Sequence, residues 1–482
     1  MKRLGIIMVG MATLATLAML TSGVPESEQA TKAPTLMVVD PAAEPASSIT
    51  MVDEGEVASD ALWLTRYRFG PGLNANRNSI QVYKGYIFVS WYQGGMDNRT
   101  VILSRKKIGS KEWSHISFPH RHVMFRGDKD LPENERRGDS HNTIAIGICP
   151  KDDTVHLIYD LHAYQPRDFK DDYFNYSVSK KGGAIVPDAQ WALNIFSPKR
   201  NHLNPKAPKS TYYRITYPSF RVGDNGNLSV GWRQGGTHDA EMQFSTYDGE
   251  TWTSPMSWNK PNKENTKGFY GDFKEFNGKM YACWARRSPG DVKAGFLASG
   301  LYLGGCNDPN GATAWYTMSG EKSELPLQDW EAFKIAEPVK SGERIGGGPN
   351  FIITKSGAFH GLYSKIGIKD KPSLTRHFYR ASAKEPLSMY ENNGVIEGSL
   401  REIDDQLYLF GLEDGRPHVK VFDGVHQRWN SVYVATGTRY RQCVITWDGD
   451  TCYYHLIENP DSKEDDRVPM RVVSISGVGK KR

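Results

Sequence analysis

The chain has 482 residues, 39% hydrophobic and 24% charged, a balance that fits a folded water-soluble protein and excludes a disordered one. Aromatic residues make up 11%, and 47 Gly and 26 Pro supply many turns, which favours β-structure over a long helical bundle. Lys and Arg number 60 against 55 Asp and Glu, a net charge of +5, too even to demand a nucleic-acid partner.

At the N-terminus, Lys2 and Arg3 precede the apolar run Leu4–Leu20, and small and polar residues follow. Residues 1–22 are therefore expected to be a secretory signal, which places the mature protein in the periplasm or the medium with no membrane segment. Residues 23–58 are rich in Pro, Ala, Ser, Thr and Glu and read as a disordered leader before one folded domain over 59–482.

From about residue 60 one theme recurs: a strand, a polar turn, then a second strand with a polar tip. The hairpins are Asn78–Gln93, His141–His162, Tyr217–Arg233, Tyr270–Arg286, Pro349–Ser364, Ile396–Glu413 and Cys443–Glu458. Their turns, such as Asn277-Gly278 and Asp448-Gly449, carry residues that tolerate positive φ. A period of about 60 residues suits large four-stranded propeller blades. The expected fold is all-β, a seven-bladed β-propeller, with Ala61–Arg68 pairing beside Val468–Ile475 to close the ring. A pair of β-sandwiches would explain the strands but not seven similar hairpins. The segment Ser245–Trp252 resembles the Asp-box turn of BNR-type propellers, with weaker echoes ending at Trp113 and Trp429.

Five Cys occur, Cys149, Cys283, Cys306, Cys443 and Cys452, an odd number that cannot be fully paired within the chain. Cys443 and Cys452 flank a turn and are placed to face each other across a hairpin. The choices are a disulfide, buried thiols or a metal site, and no CxxC pattern supports the last.

In a propeller, the start of each blade's innermost strand and the end of the next strand converge at one mouth of the axial channel. Blade two brings Asp139-Ser140-His141-Asn142 and Tyr159-Asp160-Leu161-His162 there. Blade three brings Tyr217-Pro218-Ser219 and Trp232-Arg233, and blade four brings Tyr270 with Arg286 and Arg287. Taken singly, each His, Tyr or Arg is more often structural. His156 reads as core, and His120 and His122 as loop residues on the surface. Together, His141, His162, Tyr217 and Arg233 fit β-elimination on a uronic acid: a cation neutralises the carboxylate, a base takes the C5 proton and Tyr protonates the leaving O4.

The segments Gly138–Ile144, His156–His162, Tyr217–Phe220 and Trp232–Gly235 resemble the BNR-repeat propeller family, and within it the seven-bladed ulvan lyases of marine bacteria. The resemblance covers about residues 60–480. It implies a secreted polysaccharide lyase cleaving the anionic sulfated polysaccharide ulvan between rhamnose 3-sulfate and a uronic acid; a monomer is expected. Carried over by motif, His141 and His162 are the active-site histidines, Tyr217 the catalytic acid and a candidate base with His141, and Arg233 the carboxylate-neutralising arginine. His162 would bind or polarise the carboxylate. Tyr270, Arg286, Arg287 and His238 are candidate substrate contacts, with Lys199, Arg200 and Arg214 as further candidates for sulfate. The resemblance also implies a structural zinc ion, for which Asp272, Cys283, Cys306 and His360 are the candidate ligands, and no organic cofactor. A sialidase-like hydrolase shares the propeller, but it leaves the two histidines unexplained. A non-catalytic carbohydrate-binding propeller would make the convergence a coincidence.

Overall fold

The computed structural model describes residues 49–64, 78–95, 97–236, 239–260, 268–287, 298–340, 343–345, 348–368, 371–393, 396–459 and 466–479. The expected signal at 1–22 and residues 23–48 of the expected leader lie outside the described residues. The strands form seven antiparallel sheets arranged as the blades of a propeller. Each of the seven hairpins read from the sequence forms an inner pair of strands of one blade, and in blade five Glu343–Ile345 also pairs with the second of them. Blade two begins with Ile144–Cys149 and Thr154–Tyr159, blade three with Ile215–Val222 and Leu228–Gln234, and blade four with Gly268–Phe276 and Lys279–Arg287. In blade two every residue of both strands is buried, because neighbouring blades cover both faces of the sheet. At the turn joining the blade-four pair, Asn277 and Gly278 take φ of 53° and 71°, the left-handed conformations that Asn-Gly accepts at low cost.

The ring closes where expected, with Ala61 opposite Val468, but the strand begins earlier and its regular pairing ends at Leu62; residues 65–68 lie outside the described residues. Thr50–Leu62 pairs with Arg467–Ser476, so that Met51 lies opposite Ile475 and Leu62 opposite Arg467. Residues 50–58 are thus an outer strand of blade seven and not part of a disordered leader. Their acidic character, which reads as disorder, is matched by partners across the blades. Glu54 accepts from Lys106 at 3.0 Å and Ser474 at 3.0 Å, and Asp53 pairs with Arg471 at 2.7 Å. Charged residues on an outer strand also deter pairing with other chains.

The Asp-box turn packs as its composition suggests. Asp248 Oδ1 accepts from the backbone N–H groups of Glu250 and Thr251, both at 2.8 Å. Trp252 is buried against His156 and Tyr176 of blade two, and its indole N–H donates to the Tyr176 hydroxyl at 3.0 Å. The five cysteines are free thiols. Cys452 lies opposite Trp447 and Cys443 opposite Leu456, so the two do not face each other across the hairpin.

Several histidines are buried between blades. Burial pushes His156 down to about 3 and His360, His418 and His455 down to about 4. These rings stay neutral in the folded protein, whereas an unfolded chain protonates them near pH 6.5. Their contribution to stability is therefore complete above about pH 6.5 and is lost as pH falls towards about 4, at up to about 1.4 kcal/mol per pH unit per ring. Scanning calorimetry should show a Tm that is level above neutrality and falls steeply between about pH 6.5 and 4; a level Tm down to about pH 4.5 would contradict it.

Candidate active site

Asp139 anchors the site. Its carboxylate is fully buried and accepts from two imidazoles, His141 Nδ1 at 3.0 Å and His162 Nδ1 at 2.5 Å. Its Oδ1 also accepts from the backbone N–H of His141 at 3.0 Å. Burial works against ionisation of Asp139, but the hydrogen bonds from His141 and His162 outweigh it and hold the carboxyl well below the usual range. The two rings stack, 4.2 Å between centroids and 20° between planes. Burial also lowers His162 below the ordinary imidazole range, more than Asp139 raises it.

Local backbone structure brings blade three to this pair. His162 bridges Thr216, and Ala163 N–H donates to Ile215 O at 2.8 Å. In blade three, Gly231 pairs with Ser219 but Arg233 pairs with Thr216, so Tyr217 and Pro218 together face Trp232. This is a β-bulge, a device that re-aims a side chain. Tyr217 takes φ 55°, unusual for a bulky residue and doubly so before proline, which ordinarily holds its predecessor extended. Such strain is found where the surroundings enforce it, often at functional sites. The ring of Tyr217 is left 38% exposed, 5.8 Å from that of His141.

On its other side Tyr217 lines a cleft of about 360 Å³ between blades three and four, shared with Ser219, Arg221, Arg233, Tyr270 and Asp272. Arg233 is only 8% exposed, and its guanidinium lies over the Tyr270 ring at 4.6 Å. Its Nη2 donates to Gly236 O at 2.5 Å, its Nε is buried without a partner, and among the described residues no carboxylate forms an ion pair with it. Burial lowers its pKa from the usual guanidinium value. A buried cation without a counter-ion is costly, and an anionic ligand entering this cleft would relieve that cost.

The four residues read from the sequence as catalytic are therefore neighbours at one mouth, with Tyr217 between the histidines and the arginine. Tyr270 lines the same cleft, and Arg287 reaches its hydroxyl at 3.4 Å. Arg286 belongs elsewhere: it pairs with Glu331 at 2.8 Å and donates to Ser299 Oγ at 3.1 Å. Neighbouring residues of a strand point to opposite faces, so only one of the two arginines can serve the cleft. Arg214 pairs with Asp239 at 3.2 Å, Lys199 pairs with Asp172, and Arg200 lines a separate cavity with Tyr176 and Trp252. His238 lies outside the described residues.

The candidate zinc ligands do not form a site. Asp272 and Cys283 do sit opposite each other, as the simple hairpin register implies. However, Cys283 packs with Leu301, Leu303 and Tyr363, whereas Cys306 packs with Trp258, Trp284 and Trp315. His360 hydrogen-bonds to His377 at 3.0 Å. Among the described residues, Asp139, His141 and His162 are the one group whose donor atoms all approach within 4.8 Å. Donors around a tetrahedral zinc with bonds of about 2.0–2.1 Å lie about 3.3 Å apart; here the Asp139–His contacts are 2.5 and 3.0 Å. That spacing belongs to hydrogen bonds and does not fit a metal.

Three residues carry more than their sequence context suggests. Asp139 stands out little in the sequence, although a carboxylate two residues before His141 is a usable signal. His120 and His122, expected at the surface, are buried and both donate to Asp160, at 2.8 and 2.7 Å.

The fold and site together define a seven-bladed propeller with a His–His–Tyr–Arg cleft on blades two to four. A family signature described as "BNR repeat-containing family member" matches residues 86–389. The chain belongs to the BNR repeat-containing family. It is 30% identical over 430 residues to an "Ulvan lyase, long isoform" of Alteromonas sp, covering 81% of this chain and 42% of that protein. The chain thus spans less than half the length of that relative. It is 28% identical to an "Ulvan lyase, short isoform" of Alteromonas sp. (strain LOR), covering 81% of this chain and 80% of that one. Among solved structures, the polysaccharide lyase Uly1 superposes with a TM-score of 0.77 at 25% identity, over 89% of this chain and 99% of that chain. A PL25 ulvan lyase bound to -[GlcA(1-4)Rha3S]- shares the fold, with a TM-score of 0.61 at 15% identity over 87% of this chain and 95% of that one.

Proposed function

We propose that the protein is a polysaccharide lyase that cleaves ulvan, a sulfated rhamnose–uronic acid polysaccharide, by β-elimination at the uronic acid. The observation that carries this reading is the meeting of the Asp139-bound histidine pair, Tyr217 and Arg233, which has no carboxylate partner among the described residues, at one mouth. The relatives named ulvan lyases support the substrate.

The reaction must remove a weakly acidic proton from C5, beside the uronate carboxylate. Arg233 receives that carboxylate and stabilises the charge that builds on it, an effect strongest in a site shielded from water. Asp139 accepts the Nδ1–H of His141 and of His162, which leaves Nε2 of each as the basic atom. A neutral His162 has no second donor with which to hold a carboxylate, so that role passes to Arg233 and His162 becomes a second base candidate. The base, His141, His162 or Tyr217, takes the C5 proton. The C–H electrons form the C4–C5 double bond as the C4–O4 bond breaks, and O4 takes the hydroxyl proton of Tyr217. Tyr270 stacks on a sugar ring, and Arg287 beside it suits a sulfate ester. The basic start and apolar run of residues 1–22 support export of the enzyme from the cytoplasm.

A panel of uronic-acid polysaccharides, sulfated and not, should give a rise in ultraviolet absorbance with ulvan, from a double bond conjugated to the carboxylate. New reducing ends without that absorbance would indicate hydrolysis, and neither signal would indicate a binding protein.

A further inference from the structure

Behind the reacting groups lies a second carboxylate that the proposed mechanism does not use. Asp160 is fully buried, two residues before His162, at the tip of the strand Thr154–Tyr159. It takes φ 60°, which turns the chain out of the strand and towards His162. Five donors reach its two oxygens: His120 Nε2 at 2.8 Å, His122 Nδ1 at 2.7 Å, the backbone N–H of Val123 at 2.8 Å, Asn142 Nδ2 at 2.7 Å and, more distantly, the Tyr92 hydroxyl at 3.5 Å. Burial works against ionisation, yet His122 and His120 hold the carboxyl far below the usual range.

The partners of those donors define what Asp160 does. His122 turns its other nitrogen, Nε2, to the backbone N–H of Asp139 and accepts it at 3.2 Å. One donor and one acceptor on the same ring is the pattern of neutral imidazole. Asn142 closes the turn that begins at Asp139, donating its backbone N–H to Asp139 O at 3.1 Å. The Asn142 carbonyl accepts from the Tyr92 hydroxyl at 2.8 Å. Both ends of the turn 139–142 are therefore tied to Asp160, one through His122 and the other through the Asn142 side chain. That turn carries His141 and the carboxylate that holds both reacting imidazoles.

We infer that Asp160 is a positioning residue which, acting through His122 and Asn142, sets the Asp139 carboxylate at the distance from His141 and His162 that fixes their Nδ1–H tautomers. The inference rests on the lyase reading for its effect on turnover, but not for its effect on the imidazoles. Orientation is where such a group acts: a displacement of about 1 Å at a reacting centre costs about 100-fold in rate. Asp160→Asn keeps shape and replaces an acceptor oxygen with a donor. His122→Asn keeps a donor near the Nδ1 position for Asp160 and removes the acceptor for Asp139 N–H. Both should lower kcat by about 10- to 100-fold with KM within about twofold, in full-length protein assayed well below its Tm. The second readout is the pair of downfield Nδ1–H proton resonances of His141 and His162, assigned by their loss in His141→Ala and His162→Ala. They should broaden or vanish in both positioning variants.

A lower Tm with unchanged kcat and intact resonances would show a merely structural role and overturn the inference. If Asp160→Asn does not fold, His122→Asn decides, because it leaves the Asp160 charge partnered. If the wild-type protein gives no unsaturated product, the lyase reading fails, and the resonances still decide whether Asp160 positions the imidazoles.

Discussion

Tyr217→Phe is expected to lower kcat by about 10²- to 10⁴-fold, the range for loss of a positioned acid–base group. The substitution removes one oxygen and keeps the ring. Because that ring is 38% exposed at the mouth, the fold should be unaffected. The bulge that presents Tyr217 is set by the Gly231–Ser219 and Arg233–Thr216 pairings and by Pro218, none of which involves the hydroxyl. KM should change little, since in the proposed elimination the hydroxyl acts chiefly as the C4–O4 bond breaks. Steady-state kinetics on ulvan with matched Tm values is the check, and near-normal kcat would remove Tyr217 from the mechanism.

Arg233→Ala should separate activity from stability in a way that a structural arginine would not. The guanidinium is buried, donates one hydrogen bond to a backbone carbonyl, and has no carboxylate partner among the described residues. Removing it relieves an uncompensated buried charge, so Tm should hold or rise. Activity should fall by about 10²- to 10³-fold, or about 3–4 kcal/mol of transition-state stabilisation, the scale for loss of one charge-stabilising donor. Arg233→Lys should recover only part of this, because an ammonium cannot reproduce the planar fork that grips a carboxylate. Calorimetry alongside kinetics tests both halves. A fall in Tm with most of the activity kept would make Arg233 a structural residue.

Much of this architecture was legible because propellers repeat. Seven turn sequences at similar spacing located the innermost hairpin of every blade, and strand geometry then brought His141, His162, Tyr217 and Arg233 to one end. What stayed hidden depends on pairings that local pattern does not encode. The closing strand Thr50–Leu62 looks like a polar leader because its acids find partners more than 50 residues away in Lys106 and more than 400 away in Arg471 and Ser474. His120 and His122 look like surface loop residues because their partners, Asp160 and the rings of Tyr159 and Tyr92, are distant in sequence. Arg286 and Arg287 are adjacent in sequence, and only the blade-four register and Glu331 decide which of them is turned from the cleft. The expected zinc set failed for a similar reason. Hairpin register placed Asp272 opposite Cys283 correctly, but nothing local shows that Cys306 packs in a different cluster.

The central claim is that this cleft breaks a glycosidic bond without water. Digestion of ulvan followed by mass spectrometry of the fragments separates elimination from hydrolysis at each cut. Elimination predicts an unsaturated non-reducing end whose mass is lower by one water than the hydrolytic product. Fragments at the full hydrolytic mass, with a saturated end, would mean hydrolysis and would contradict an eliminating role for the histidine pair, Tyr217 and Arg233.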